Sequence, residues 1–181
     1  MTRLGYLAAT FVPVLGIAVA GITPLPLKFV WNATASAPVG LYTIEPVGRL
    51  EVPDLVAVMP PEPFASFMVS RGYVGRDVPL LKRVLGLPGQ NVCRFGRAIT
   101  VDAVPLGDAR DRDSQGRDLP AWHGCRRIAN DEFFLMNHEV SDSLDGRYFG
   151  PFPAAAVIGR ATPLFTDDDG EGRFVWRAPT R

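Results

Sequence analysis

Two residues stand out for the chemistry their surroundings would allow. They are Ser36, in Thr34-Ala35-Ser36-Ala37-Pro38-Val39-Gly40-Leu41-Tyr42, and Lys82, in Leu80-Leu81-Lys82-Arg83-Val84-Leu85. The serine sits on a turn-prone Ser-x-Pro-x-Gly backbone, with a second hydroxyl, Thr34, two positions earlier. Pro38 restricts Ala37 to extended geometry, and Gly40 lets the chain bend again. Taken alone, the stretch reads most simply as a surface turn. Lys82 lies in an apolar run of strand character, where a period of two puts Leu80, Lys82 and Val84 on one face. Burial among aliphatic side chains disfavours the ammonium; bringing a lysine from about 10.4 to about 8 takes roughly 3 kcal/mol of differential desolvation. A neutral lysine beside a serine can take its proton, which is the activation step of a Ser–Lys dyad. The plainer fate for such a lysine is to snorkel from an edge strand into solvent.

A third group lies in Ser141-Asp142-Ser143-Leu144-Asp145-Gly146-Arg147-Tyr148-Phe149-Gly150-Pro151. Asp145 and Arg147 are two apart, so in an extended segment they share a side and could pair. On the surface such a pair contributes little, whereas a partly buried one would fix the hydroxyls beside it. Two other arrangements are open on residue type. His138 with Asp142 or Asp145 could activate Ser36 in a Ser/His/Asp triad, but no motif surrounds the histidine. His138, Glu139 and Asp142 lack a recognisable metal-ligand spacing. No metal and no cofactor is expected.

The elements that must hold these residues follow from the rest of the chain. Its 181 residues suit one domain with an appendage, and the 19 Lys+Arg balance 19 Asp+Glu, so the basic excess that nucleic acid would call for is missing. Seventeen prolines and 18 glycines, spread along the chain, favour short strands joined by turns. Leu4 to Leu27 carries no charge, and its first 19 residues would span roughly 28 Å as a helix, close to the bilayer's hydrocarbon thickness. A retained anchor, a cleaved signal peptide and a buried helix are the readings. The apolar core exceeds the usual signal-peptide length, and the small-x-small motif Ala33-Thr34-Ala35 lies far beyond it, so a retained anchor over residues 1–28 is expected. The short N-terminus favours a body, residues 29–181, on the outer side of the membrane. There a Cys93–Cys125 disulfide could form and persist; two buried thiols are the alternative.

Strands are expected at Leu41 to Ile44, Leu55 to Met59, Val78 to Leu85, Asn91 to Phe95, Ala98 to Val101, Glu132 to Met136 and Ala155 to Phe165, with a short helix at Phe64 to Arg71. Residues 102–127 are rich in charge of both signs and read as a solvated excursion. Asp167 to Asp169 with Gly170 and Gly172 make an acidic turn, and Phe174 to Trp176 read as a last strand or as interface residues. The body is mostly β.

In their order, three stretches resemble the signal peptidase I family of membrane-anchored serine endopeptidases. They are the anchor with its serine box, the Lys-Arg-Val-x-Gly-x-Pro-Gly box from Lys82 to Gly89, and the Ser-x-Asp-x-Arg-Tyr-aromatic-Gly box from Ser143 to Gly150. The serine box is closer to the conjugative-transfer, TraF-type branch, which processes pilins, than to the housekeeping enzymes. Those have a methionine where Ala37 stands, and Gly-Asp-Asn where this chain has Asn137-His138-Glu139. The resemblance implies Ser36 as nucleophile and Lys82 as general base. It implies an oxyanion hole from the Ser36 N–H and the Thr34 hydroxyl, Ser143 orienting the lysine, and Asp145 and Arg147 bracing the site. It further implies a signal-peptidase-like β catalytic core with a small inserted region, at 102–127, preceded by one N-terminal transmembrane helix. The substrate would be a membrane-embedded, pilin-like precursor, processed at the bacterial inner membrane on the periplasmic side, with residues 4–27 in the lipid bilayer. The competing reading is an anchored or secreted non-catalytic β domain that binds a partner through aromatic loops such as Tyr148 and Phe149.

Overall fold

The computed structural model describes residues 2–22 and 26–179, with the side chains of residues 19–22 outside that description. The chain opens with helix α1 (Arg3–Ile22), which contains Pro13 and exposes Leu4, Phe11 and Ile17. The expected membrane-spanning helix over residues 4–27 is here corrected. Among the described residues no helix is long and apolar enough to cross a membrane. Part of the expected span, residues 23–25, lies outside the described residues.

The body is mostly β. After α1 come β1 (Phe29–Asn32), β2 (Val39–Glu45), β3 (Leu55–Val58), helix α2 (Phe64–Ser70), β4 (Leu80–Gly86), β5 (Asn91–Phe95), β6 (Ala98–Val101), β7 (Val104–Asp108) and β8 (Gly124–Arg127). Then follow β9 (Glu132–Leu135), the single turn α3 (Gly146–Phe149), β10 (Phe152–Pro153), β11 (Val157–Asp167) and β12 (Val175–Trp176). An eight-stranded antiparallel sheet runs β1-β2-β11-β3-β4-β9-β10, with β12 added on β11. A second sheet of four strands runs β7-β6-β5-β8.

Both faces of the large sheet are covered, which is why β3 is buried along its whole length. On one face Val56, Val58 and Val84 pack with Phe64 and Met68 of α2 and with Phe152. On the other, Leu55, Ala57 and Leu81 pack with Tyr42, Ile44 and Ala161. Val92, Ile99 and Val101 of the small sheet meet Phe134 and Met136 in a third cluster. Lys82 therefore lies on a central strand between β3 and β9 rather than on an edge, and its side chain is buried rather than extended into bulk solvent.

Gly40 and Gly146 are among the glycines that close approach requires. A Cβ at Gly40, where φ is +147°, would lie 2.3 Å from the Phe165 carbonyl oxygen across the bulge between β2 and β11. A Cβ at Gly146 would lie 2.6 Å from Phe134 Cε2, so only glycine lets α3 sit down on β9.

The stretch 102–127, expected as a solvated excursion, contributes β7 and β8 to the small sheet. Cross-strand pairing organises what composition does not. Cys93 on β5 stands directly opposite Cys125 on β8, and their sulfurs are bonded. β11 begins at Val157 because Ala154–Ala156 forms a 3-10 turn, and it runs on to Asp167. Tyr148 and Phe149, named above as a binding surface, are not one. Tyr148 is buried, and Phe149 stacks on Phe64 at 3.8 Å between centroids.

Candidate active site

Ser36 sits on the loop from β1 to β2, and a residue at the end of β1 shapes that loop. Buried Asn32 donates through Nδ2 to the carbonyls of Thr34 (2.8 Å), Ala37 (2.9 Å) and Pro38 (3.1 Å). Its Oδ1 accepts from the Thr34 N–H at 3.2 Å and the Thr34 hydroxyl at 3.0 Å. The Tyr42 hydroxyl donates to the Pro38 carbonyl at 2.7 Å, and burial pushes the phenol's pKa up, so it stays a neutral donor. Thr34 and Ser36 hydroxyls are 3.0 Å apart. A threonine hydroxyl has one proton, and here it goes to Asn32, so Ser36 donates to Thr34.

Lys82 is 3 % exposed, and its Nζ donates to the buried Ser143 hydroxyl at 2.7 Å. Burial lowers its pKa to about 8, the Asp145 carboxylate pulling it back up and the Arg147 guanidinium pushing it down further. A fall from 10.5 to about 8 corresponds to roughly 3 kcal/mol against the ammonium. Near neutral pH a usable fraction is the free amine.

Ser143 is held through an ion pair with no access to water. Arg147 and Asp145 are 1 % and 0 % exposed, Arg147 Nε lying 2.9 Å from Asp145 Oδ1 and Nη2 2.8 Å from Oδ2. The same Nη2 donates to the carbonyls of Val140 (2.7 Å), Asn137 (3.1 Å) and Ser143 (3.2 Å), gathering the loop that carries the serine. Buried Arg94 of β5 donates to the Arg147 carbonyl, and Trp122, two residues before β8, donates to the Gly146 carbonyl at 3.1 Å.

Asn137 joins the two halves of the site. Its Nδ2 donates to the Ser36 carbonyl and, at 3.0 Å, to the Leu81 carbonyl, while its Oδ1 accepts the Arg83 N–H at 3.0 Å. Its own N–H donates to Asp145 Oδ2 at 3.1 Å. The serine loop, the lysine strand and the ion pair thus meet at one buried amide. Asn32, Arg94 and Asn137 carry no motif that marks them. The only sequence signal was that Asn137 stands where the housekeeping enzymes have glycine.

The structure brings Thr34, Ser36, Lys82 and Ser143 to one cleft of about 250 Å³, floored by Met68, Val74, Leu80 and Leu144. Among the described residues Lys82 spends its hydrogen bond on Ser143 and Ser36 on Thr34, with none between the two. A second cleft, about 300 Å³, lies on the other side of Ser36 and includes Arg83, His138, Glu139 and the acidic turn. His138 Nε2 lies 4.0 Å from Glu139, whereas Asp145 is taken by Arg147 and Asn137, so that carboxylate does not orient the imidazole. Among the described residues no group of three His, Cys, Asp or Glu side chains is placed to hold a metal ion.

Comparison with known proteins gives the arrangement a context. Residues 3–165 match the family model described as "Signal peptidase, peptidase S26". The conjugal transfer protein TraF of Agrobacterium fabrum is 34% identical over 170 residues, 87% of this chain and 95% of the relative. A probable conjugal transfer protein TraF of Sinorhizobium fredii is 36% identical over 145 residues, covering 75% of this chain and 76% of that one. Among solved structures, a signal peptidase I from Enterococcus faecalis covers 63% of this chain and 97% of its own, at 18% identity and a TM-score of 0.37.

Proposed function

The chain belongs to the signal peptidase, peptidase S26, family, and from that membership we propose that it is a serine endopeptidase in which Lys82 activates Ser36 to cut an N-terminal signal from an exported precursor. The observation that carries the reading is a buried lysine of lowered pKa lining the same cleft as a serine on a braced loop.

In this reading the free amine of Lys82 takes the Ser36 proton as Oγ attacks the scissile carbonyl. Ser143 keeps the amine directed into the cleft. Charge then develops on the carbonyl oxygen, and the Ser36 N–H and the Thr34 hydroxyl are the donors for it. Thr34 turns its one proton from Asn32 to that oxygen, and Asn32 still holds the loop through its three amide bonds. The Lys82 ammonium next protonates the departing amine, leaving an acyl-enzyme on Ser36. Water, activated by the same lysine, hydrolyses it. The apo contacts of Ser36 and Lys82 exchange for one between them when a substrate enters.

The relatives named for conjugal transfer support a substrate within such a system, and a membrane-embedded, pilin-like subunit is the one proposed. The disulfide suits an oxidising compartment, which supports a body on the periplasmic side of the inner membrane. Lipid contact is assigned to α1 with its exposed apolar side chains, and to Phe29, Trp31, Phe174 and Trp176 on the edge that follows it. Aromatic residues favour that interface.

The test is processing of a co-expressed pilin precursor by the wild type, Ser36→Ala and Lys82→Ala, read by mass spectrometry. The wild type should release the mature chain, and each folded variant should accumulate precursor. Normal processing by both variants would favour a non-catalytic β binding domain instead.

A further inference from the structure

The acidic turn after β11 has no part in the chemistry above, yet it forms a wall of the larger cleft beside Ser36. Four carboxylates line that cleft, from Glu139, Asp167, Asp168 and Asp169, against one guanidinium, Arg83, and the imidazole of His138. They come from two separate segments of the chain. Asp169 lies 3.4 Å from Arg173 at the surface, and Asp167 Oδ2 accepts the Gly172 N–H at 2.9 Å. Asp167 is only 9 % exposed, and among the described residues its buried Oδ1 has no hydrogen-bond partner. A buried carboxylate oxygen without a donor is costly, so Asp167 has an unmet demand for one.

The two clefts share Ser36 and differ in chemistry. The smaller sets Ala35, Met68, Val74, Leu80 and Leu144 beside Lys82 and a single carboxylate, Asp142, whereas the larger has four carboxylates against Arg83. A substrate whose scissile bond lies at Ser36 must put one half into each. An export signal is apolar, which suits the smaller cleft, and the segment on the leaving-amine side then falls to the acidic one. A cleft lined by one sign of charge concentrates the opposite charge within it.

We propose that this second cleft is a subsite that selects a lysine or arginine side chain among the first residues on the leaving side of the scissile bond. The assignment of sides rests on the peptidase reading; the preference for a cation does not. Glu139, Asp167 and Asp169 receive the cation, and Asp168 adds to the field.

The full chain carrying Ser36→Ala is titrated with dye-labelled peptides that share an apolar half and differ only in lysine or norleucine at the second position of the other half. Fluorescence anisotropy should show the lysine peptide binding about tenfold more tightly at low salt. The advantage should shrink as the Debye length falls toward about 3 Å in 1 M salt. Adding Asp167→Asn with Asp169→Asn should bring the affinity ratio close to one, and Glu139→Gln, on a different segment, should lower it in part. Equal affinities for the two peptides overturn the proposal, as does a preference that survives all three substitutions or that follows lysine into the apolar half. Cleavage by the wild type is a separate readout. No cleavage with the lysine preference intact sinks the peptidase reading alone, whereas cleavage with equal affinities sinks the cation subsite alone.

Discussion

The Lys82 ammonium nitrogen stands 2.7 Å from the Ser143 hydroxyl, and both are buried. A buried lysine with one neutral partner is poorly compensated, and for that reason its pKa falls to about 8. Ser143 can donate to a neutral amine or accept from a charged one, so the pair tolerates both protonation states.

Cleavage should therefore depend on pH through the lysine. The rate should climb with a midpoint near 8 and hold its plateau above it, since the amine is the active form. A profile already flat from pH 6 upward, and lost in His138→Ala, would assign the base to histidine. Stability follows the same group. Between about 8 and 10.5 the unfolded chain binds a proton here that the folded chain does not, so stability rises with pH across that window. Below about 8 both states hold the proton and this dependence stops. Lys82→Met should remove the slope, as denaturant unfolding at several pH values would show.

Asn137 is expected to matter for rate as well as fold. Asn137→Ala strips donors from the Ser36 and Leu81 carbonyls and the acceptor from the Arg83 N–H. Unsatisfied buried groups of this kind cost about 1–3 kcal/mol each, and relaxation should hold the total near the lower end. Because the residue positions Ser36 without lying against the reacting atoms, kcat should fall more than KM changes. A variant that only loses stability, with kcat intact below its melting temperature, would reduce Asn137 to a structural residue.

The Asp145–Arg147 pair should be intolerant of single changes. Arg147→Met leaves a fully buried carboxylate without its cation, a change that typically costs about 3–5 kcal/mol. Adding Asp145→Asn should recover part of that loss, because an amide needs no countercharge. Melting temperatures of the two singles and the double settle it. Losses that simply add would mean that the two side chains act independently.

Part of this site could be read from local pattern: Asp145 and Arg147 stand two apart, a spacing that suggested their pair, whereas the family resemblance and not spacing joined Ser36, Lys82 and Ser143; all five line or brace one cleft. The β5–β6 hairpin was legible from local pattern too, with Gly96 between two alternating runs. Asn137 and Arg94 were not, since their partners lie 101 and 53 residues away and a lone asparagine or arginine has no periodicity. β7 and β8 were missed because nearly all their side chains are exposed and their composition is that of a loop. Pairing with β6 and β5 makes them strands. The helix α1 was read as spanning from the length and lack of charge of its segment, and among the described residues no helix is long and apolar enough to cross a membrane.

The Cys93–Cys125 bond is the last point open to a direct measurement. It joins β5 to β8 across a separation of 32 residues, most of which carry few buried side chains. Closing a loop of that length restricts the unfolded chain by about 3–4 kcal/mol on the chain-entropy model. Cys93→Ser with Cys125→Ser should therefore lower the free energy of unfolding by an amount of that order. The loss should appear first in the small sheet, where Arg94 of β5, together with Trp122 just before β8, reaches the carbonyls of α3. Amide exchange would see β5 to β8 open ahead of β3 and β4, and the proposed rate would fall as the brace on Arg147 loosens. Uniform exchange across both sheets would show that the disulfide stabilises the domain without any particular link to the site.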